Sequence, residues 1–193
     1  MNQKHRREDI IAQGRELFRY QGYHNTGLSD ILHECGIPKG TFYNYFNSKE
    51  SFAIEALQDY SQQIQRLIST YMNFKQFSPA KRLQRFYDQL ISLNENEGSD
   101  RGCLLMNFSS EVGGLSPQMA DAVQEEFSKW VTLLTPTIEE AQAHGQLSTS
   151  FEATDLAKYI HTQIFGNMAL MKSEKSTRSM KKNMEMAFRM LKN

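Results

Sequence analysis

Apolar residues recur at intervals of three and four along this chain from Ile10 almost to its end, the period of amphipathic helices. Ile10, Ile11, Gly14, Leu17 and Phe18 predict a first helix over residues 6–21, which Gly22 stops. Tyr23 opens a short connection. Thr26 is a candidate N-cap for a second helix, 27–35, with Leu28, Ile31 and Leu32 facing inward. Gly36 can supply the positive φ of a tight turn, and Pro38 disfavours helix at Ile37 while being able to open the next one. Phe42 and Phe46, four apart, would pin that very short helix along one face.

The same pattern continues downstream. Ala53, Leu57, Tyr60, Ile64, Leu67, Ile68 and Tyr71 predict a long helix over 49–74. Ser78-Pro79 reads as an N-cap and N1 proline opening a helix to about Leu93, followed by a polar loop from Asn94 to Gly102. Arg101 to Met106 starts a helix that Gly113-Gly114 ends. Ser116-Pro117 opens another to about His144, with a kink expected at Pro136 and Gly145 at the C-terminus. Residues 152–173, through Leu156, Tyr159, Ile160, Ile164, Phe165 and Met168, and residues 177–192 give two last helices. No strand alternation, internal repeat or low-complexity segment appears. The expected fold class is all-α: a three-helix N-terminal domain, 1–50, and a helical C-terminal domain, 51–193, with about nine helices.

Helix, helix, tight turn, helix is a helix-turn-helix module. The outer face of its last helix offers Lys39, Thr41, Tyr43, Asn44 and Tyr45, donors and flat aromatics suited to phosphates and base edges. The formal net charge of zero runs against DNA binding only as an average. Residues 1–50 carry about +1, residues 51–168 about −6 and residues 169–193 about +5. An acidic middle would repel DNA and the head would not, so specific contacts must matter more than bulk attraction. The basic tail reads as a solvated helix face rather than a second DNA contact.

Residues 6–55 resemble the DNA-binding domain of TetR-type bacterial repressors. The match runs in order through Gly22-Tyr23, Thr26, Leu28, Asp30-Ile31, Gly36 to Tyr43, Phe46 and Lys49-Glu50. It departs at Gly27, where the family usually has a second Thr or Ser. The resemblance implies a repressor that binds a palindromic double-stranded operator as a homodimer, under control of a small-molecule effector. It assigns Tyr43, Tyr45 and Lys49 to phosphates, and Lys39, Thr41 and Asn44 to base edges. It also implies that Gly40 lies within the recognition helix and that Thr26 anchors the backbone through its hydroxyl. The helices over 152–173 and 177–192 carry more apolar surface than one subunit needs, and would pair across a two-fold axis.

A second segment also resembles part of this family: Gly102-Cys103-Leu104-Leu105, Asn107, Ser109 to Val112, Leu115-Ser116 and Met119. These residues are similar to repressors that respond to electrophiles such as N-ethylmaleimide, quinones or reactive aldehydes. In those a cysteine at this position is the sensor and a lysine in the penultimate helix assists it, which implies Cys103 and Lys172 here. The residues themselves give a partial reason. Cys103 stands in a first helical turn, where free N–H groups and the positive end of the helix dipole favour a thiolate, and Arg101 adds charge. The alternative is that Cys103 is a small packed residue and the effector a reversible apolar ligand. Met106 and Trp130 complete the candidate effector residues.

A cysteine-dependent thiol transferase is the reading from another class, and it lacks a base near Cys103 in sequence. The expectation is therefore no enzyme, no cofactor and no metal site. Cys35 reads as packing and Glu111 as a structural or capping residue. No apolar run reaches the length of a membrane span and no secretory signal opens the chain, so the expected location is the bacterial cytoplasm.

Overall fold

The computed structural model describes residues 6–98, 101–112, 114 and 116–192. Among these residues are nine helices and no strand. They are α1 (Arg7–Gln21), α2 (Leu28–Glu34), α3 (Lys39–Tyr45), α4 (Lys49–Met72), α5 (Pro79–Glu97), α6 (Leu104–Val112), α7 (Pro117–Ala143), α8 (Ala153–Glu174) and α9 (Arg178–Met190). The chain forms two compact units: Met1–Gln63 with Cys103–Glu126, and Ile64–Gly102 with Phe127–Asn193. Helices α4 and α7 each contribute residues to both.

The first unit is built on phenylalanines. Phe18 of α1, Phe42 of α3, Phe46, Phe52 of α4 and Phe108 of α6 are all buried with Ile10 and Ile31. Phe18 lies 5.8 Å from Phe52 and 5.5 Å from Phe108, centroid to centroid, in tilted and edge-on contacts. Gly14, in the middle of α1, is explained by this packing. A Cβ there would stand 2.1 Å from Cζ of Phe52, so the ring occupies the space that a side chain would need.

In the second unit α9 packs against both α8 and α5. Met168, Met171, Met180 and Met184 are buried along this seam with Leu156, Ile160 and Ile164, whereas Met186 and Met190 are exposed. A buried aromatic cluster surrounds His161, whose ring lies 5.2 Å from Trp130, 5.2 Å from Phe165 and 5.9 Å from Tyr87. Burial pulls the His161 pKa down to about 3, so the imidazole is neutral.

The end of α5 differs from the sequence expectation. α5 runs through Asn94 to Glu97 instead of ending near Leu93. Asn94 is buried and its Nδ2 donates to the Leu90 carbonyl at 2.7 Å, so its amide group is satisfied within the helix. α7 is helical through Pro136, giving up one N–H at the proline. Gly113, Leu115, and Ser99 and Asp100 of the expected polar loop, lie outside the described residues.

Candidate nucleic-acid interface and effector site

α3 begins after Gly36, at φ 61°, and Pro38, an extended N-cap at φ −66° and ψ 153°. Phe42 and Phe46 are buried 5.2 Å apart and meet Phe52 at 5.4 and 4.7 Å. One side of α3 is thus held against α4. On the other, Lys39, Gly40, Tyr43, Asn44 and Tyr45 are exposed and Thr41 is half-buried. Lys39 Nζ stands 5.9 Å from the Tyr43 ring centroid, and Tyr43 is 48% exposed. Gly40 has no reason in the fold: a Cβ there would meet nothing within 4 Å. Glycine inside a helix costs about 1 kcal/mol relative to alanine. A bare backbone on an exposed helix suits close approach by a partner.

Two residues assigned to DNA from the sequence are turned inward. Thr26 is fully buried, and its Oγ1 donates to the Gly22 carbonyl at 2.6 Å. Nor is it the N-cap of α2. That position is Gly27, whose N–H donates to Asp30 Oδ2 at 2.7 Å. Lys49 Nζ donates to the carbonyls of Tyr23 and Thr26, each at 3.0 Å, and lies 4.1 Å from the Tyr23 ring centroid. Desolvation pulls its pKa below the usual lysine value, against the opposing fields of Glu111 and Asp30. Both residues close the α1–α2 connection.

Cys103 is the N-cap of α6, its carbonyl accepting from Asn107 N at 3.0 Å. Its sulfur is approached by the N–H groups of Met106 and Leu105 and by the Tyr60 hydroxyl. The cation acting on it is Arg19, which stacks 5.4 Å from the Tyr60 ring centroid. Each of these contacts favours a thiolate, yet Cys103 is only 3% exposed and burial outweighs them, leaving the thiol pKa raised. The expectation of a readily ionised thiol is corrected by that burial. Met106 is half-buried and adjoins Cys103 through its N–H. Trp130 is buried and Lys172 half-buried in α8; both belong to the second unit. Cys35 is buried in the head, its thiol pushed up to about 11 by desolvation.

Sequence reasoning missed the contacts of the α6 face. Glu111 Oε2 accepts from the N–H groups of Tyr23 at 2.8 Å and His24 at 3.0 Å, and His24 Nε2 lies 3.1 Å from the Glu111 carbonyl. The capping role expected for Glu111 is thus directed at backbone 88 residues away, and no local pattern marks that partner. Among the described residues no three His, Cys, Asp or Glu side chains gather as a metal site. No described helix is long and apolar enough to cross a membrane.

Residues 10–56 match the family described as bacterial regulatory proteins, TetR family. Residues 79–187 match the tetracyclin repressor-like C-terminal domain, which covers more than half of the chain. The chain belongs to the TetR family. Among relatives, the HTH-type transcriptional repressor DhaR of Mycobacterium sp. strain GP1 is 30% identical over 170 residues, covering 88% of this chain and 84% of that protein. The repressor NemR of Escherichia coli K12 is 27% identical over 160 residues, 83% of this chain and 80% of that one. A TetR regulatory protein from Rhodobacter sphaeroides superposes with a TM-score of 0.89 at 26% identity, over 95% of this chain and 97% of that one. The reduced form of E. coli NemR superposes at 0.82 and 28% identity, over 95% and 93%. The chain is accordingly a TetR-family transcriptional regulator with relatives named as repressors.

Proposed function

We propose that this protein is a homodimeric repressor that reads a palindromic operator with α3 and leaves it when a small effector acts on residues 51–193. The observation that carries the reading is the outer face of α3. Lys39, Tyr43, Asn44 and Tyr45 stand exposed around a glycine that nothing in the fold requires. Tyr43 and Tyr45 are assigned to phosphates, and Lys39, Thr41 and Asn44 to base edges. Gly40 lets the α3 backbone come close to the duplex.

The dimer is assigned to α8 and α9. Tyr159, Leu170, Met186 and Met190 are exposed there, Met190 by 71%. They border a groove of about 370 Å³ that also includes Gly166. A Cβ on Gly166 would meet nothing within 4 Å, so this helix face, too, is bare without a reason inside one subunit. A second copy pairing there buries the exposed apolar side chains and sets the spacing of the two heads. An effector that alters that spacing need favour one state over the other by only a few kcal/mol.

For the trigger, the donors around Cys103 support attack of its sulfur on an electrophile. The burial of Cys103 supports the second reading, a reversible ligand with Cys103 structural. The test is fluorescence anisotropy of the purified protein on its own upstream DNA at fixed salt, with and without N-ethylmaleimide, wild type beside Cys103→Ser. Release of wild type alone establishes covalent sensing. Tight binding by both, untouched by the electrophile, leaves a repressor with a reversible ligand. No specific binding by wild type removes the repressor reading.

A further inference from the structure

The helix that carries Cys103 at its first turn grips the DNA-reading head with its last turn. Glu111 holds the N–H groups of Tyr23 and His24. Lys49, the first residue of α4, holds the carbonyls of Tyr23 and Thr26 in the same short stretch. The carboxylate and the ammonium also act on one another electrostatically. Gly22 makes room for this arrangement. Its φ of 82° is left-handed, and a Cβ there would lie 2.3 Å from Glu111 Oε1. The carboxylate therefore occupies the volume of the missing side chain.

The rest of the α6 face is fastened to the same place. Asn107 Nδ2 donates to the Arg19 carbonyl at 3.3 Å. Phe108 packs edge-on against Phe18 at 5.5 Å and Tyr23 at 5.9 Å. Asn107, Phe108 and Glu111 share one side of the helix by their spacing. Each contacts the end of α1 or the connection after it. Phe108 supplies apolar contact that tolerates small shifts. Of these three, it is Glu111 that makes directional, charge-assisted bonds to the backbone leading into α2.

We infer that Glu111 is the positioning residue through which α6 sets the helix-turn-helix, working with Lys49 across the α1–α2 connection. This deepens the proposed repressor reading and rests on it. Movement of α6, whatever effector causes it, is carried to the amides of Tyr23 and His24. By linkage the coupling is reciprocal at equilibrium: DNA that fixes the head also favours the closed arrangement of α6, and the buried Cys103, alkylated only when its first turn opens, then reacts more slowly in proportion to the lost open population.

The test uses that reciprocity and needs no known effector. Full-length wild type, Glu111→Ala and Glu111→Gln are each mixed with N-ethylmaleimide, with and without a saturating duplex selected for binding. Alkylation of Cys103 is timed by peptide mass spectrometry, and duplex affinity and melting temperature are measured alongside. In wild type the duplex is expected to slow alkylation roughly tenfold, within the usual range of coupling between sites. In Glu111→Ala, at duplex concentrations that saturate it, the slowing falls below about twofold. Glu111→Gln, which keeps an acceptor oxygen, recovers part of it. A purely stabilising role would lower the melting temperature and leave the DNA effect intact. Slowing of wild-type size in saturated Glu111→Ala overturns the inference. If that variant does not fold, wild-type slowing in Glu111→Gln overturns it. Absence of any DNA effect in wild type overturns it as well, while the affinity measurement separately decides whether the protein binds an operator.

Discussion

Lys49 lies 4.1 Å from the ring centroid of Tyr23 and donates to the Tyr23 carbonyl at 3.0 Å, so one residue of the head is held twice by one ammonium. A second bond of equal length to the Thr26 carbonyl closes the connection. Charge-assisted hydrogen bonds are worth about 1.5–3 kcal/mol each in favourable settings, less where solvent reaches them. Lys49→Ala is expected to lower stability by roughly 2 kcal/mol, with a fall in melting temperature of several degrees. Lys49→Met, which retains part of the stem over the ring, should lose less. If operator binding weakens with no change in melting temperature, Lys49 is a phosphate contact and not a staple.

Gly40 offers a prediction in which fold and function separate. Gly40→Ala adds a methyl group in open space on a helix, so the fold should be unaffected or gain up to about 1 kcal/mol. The same methyl lies on the face assigned to DNA, and operator affinity should fall. A thermal melt and an anisotropy titration of the same preparation decide it. An unchanged affinity would mean that the duplex does not approach the α3 backbone.

The exposed side chains of α3 should differ in kind. Tyr43→Ala should weaken binding to specific and random duplexes alike, as loss of a phosphate contact does. Lys39→Ala should relax specificity by roughly 1–3 kcal/mol at one base pair. Titrations against an operator and its single-base variants distinguish the two. Full-strength binding by Tyr43→Ala would dismiss the docking assigned here.

The helices were legible because their signals are local. The apolar period, Pro38, Ser78-Pro79 and the glycines mark starts and stops within a few residues. The error at Asn94 has a local cause as well, since an asparagine that bonds back to the Leu90 carbonyl behaves as a helix residue. The outer face of α3 was legible for the same reason, with Phe42 and Phe46 defining the inner one. Thr26 and Lys49 were read toward the DNA backbone because the donors that suit a phosphate also suit a carbonyl of the same chain, and carbonyls are what both of them meet here. Only three-dimensional placement tells which is nearer. Glu111 and Tyr23, and likewise Cys103 and Tyr60, meet across long stretches of sequence that carry no pattern joining them.

Tyr60 should contribute to the ionisation of Cys103, alongside the larger effects of burial and the Met106 N–H. Its hydroxyl favours the thiolate, against burial that raises the thiol pKa. Tyr60→Phe removes that donor while keeping the ring under Arg19. Alkylation of Cys103 followed against pH should shift to higher pH in this variant, with a lower rate at neutral pH. A profile identical to wild type would mean that the rate follows opening of the structure and that the donors around the sulfur are incidental.

His161 predicts how stability responds to acid. Its folded pKa, about 3, lies below the ordinary 6.5, because burial among Trp130, Phe165 and Tyr87 penalises the cation. The unfolded chain therefore binds a proton that the folded one refuses between those values. Stability is retained above about pH 6.5 and falls as the pH drops toward 3, by up to about 1.4 kcal/mol per unit from this group. His161→Phe removes the titration. It can also cost packing at every pH, since Tyr87 loses its contact at 3.4 Å. The informative quantity is thus the slope, not the level. Urea midpoints between pH 5 and 7 should decline toward acid in wild type and much less in His161→Phe. Equal slopes would mean that other groups control the acid limb and that His161 is charged in the fold.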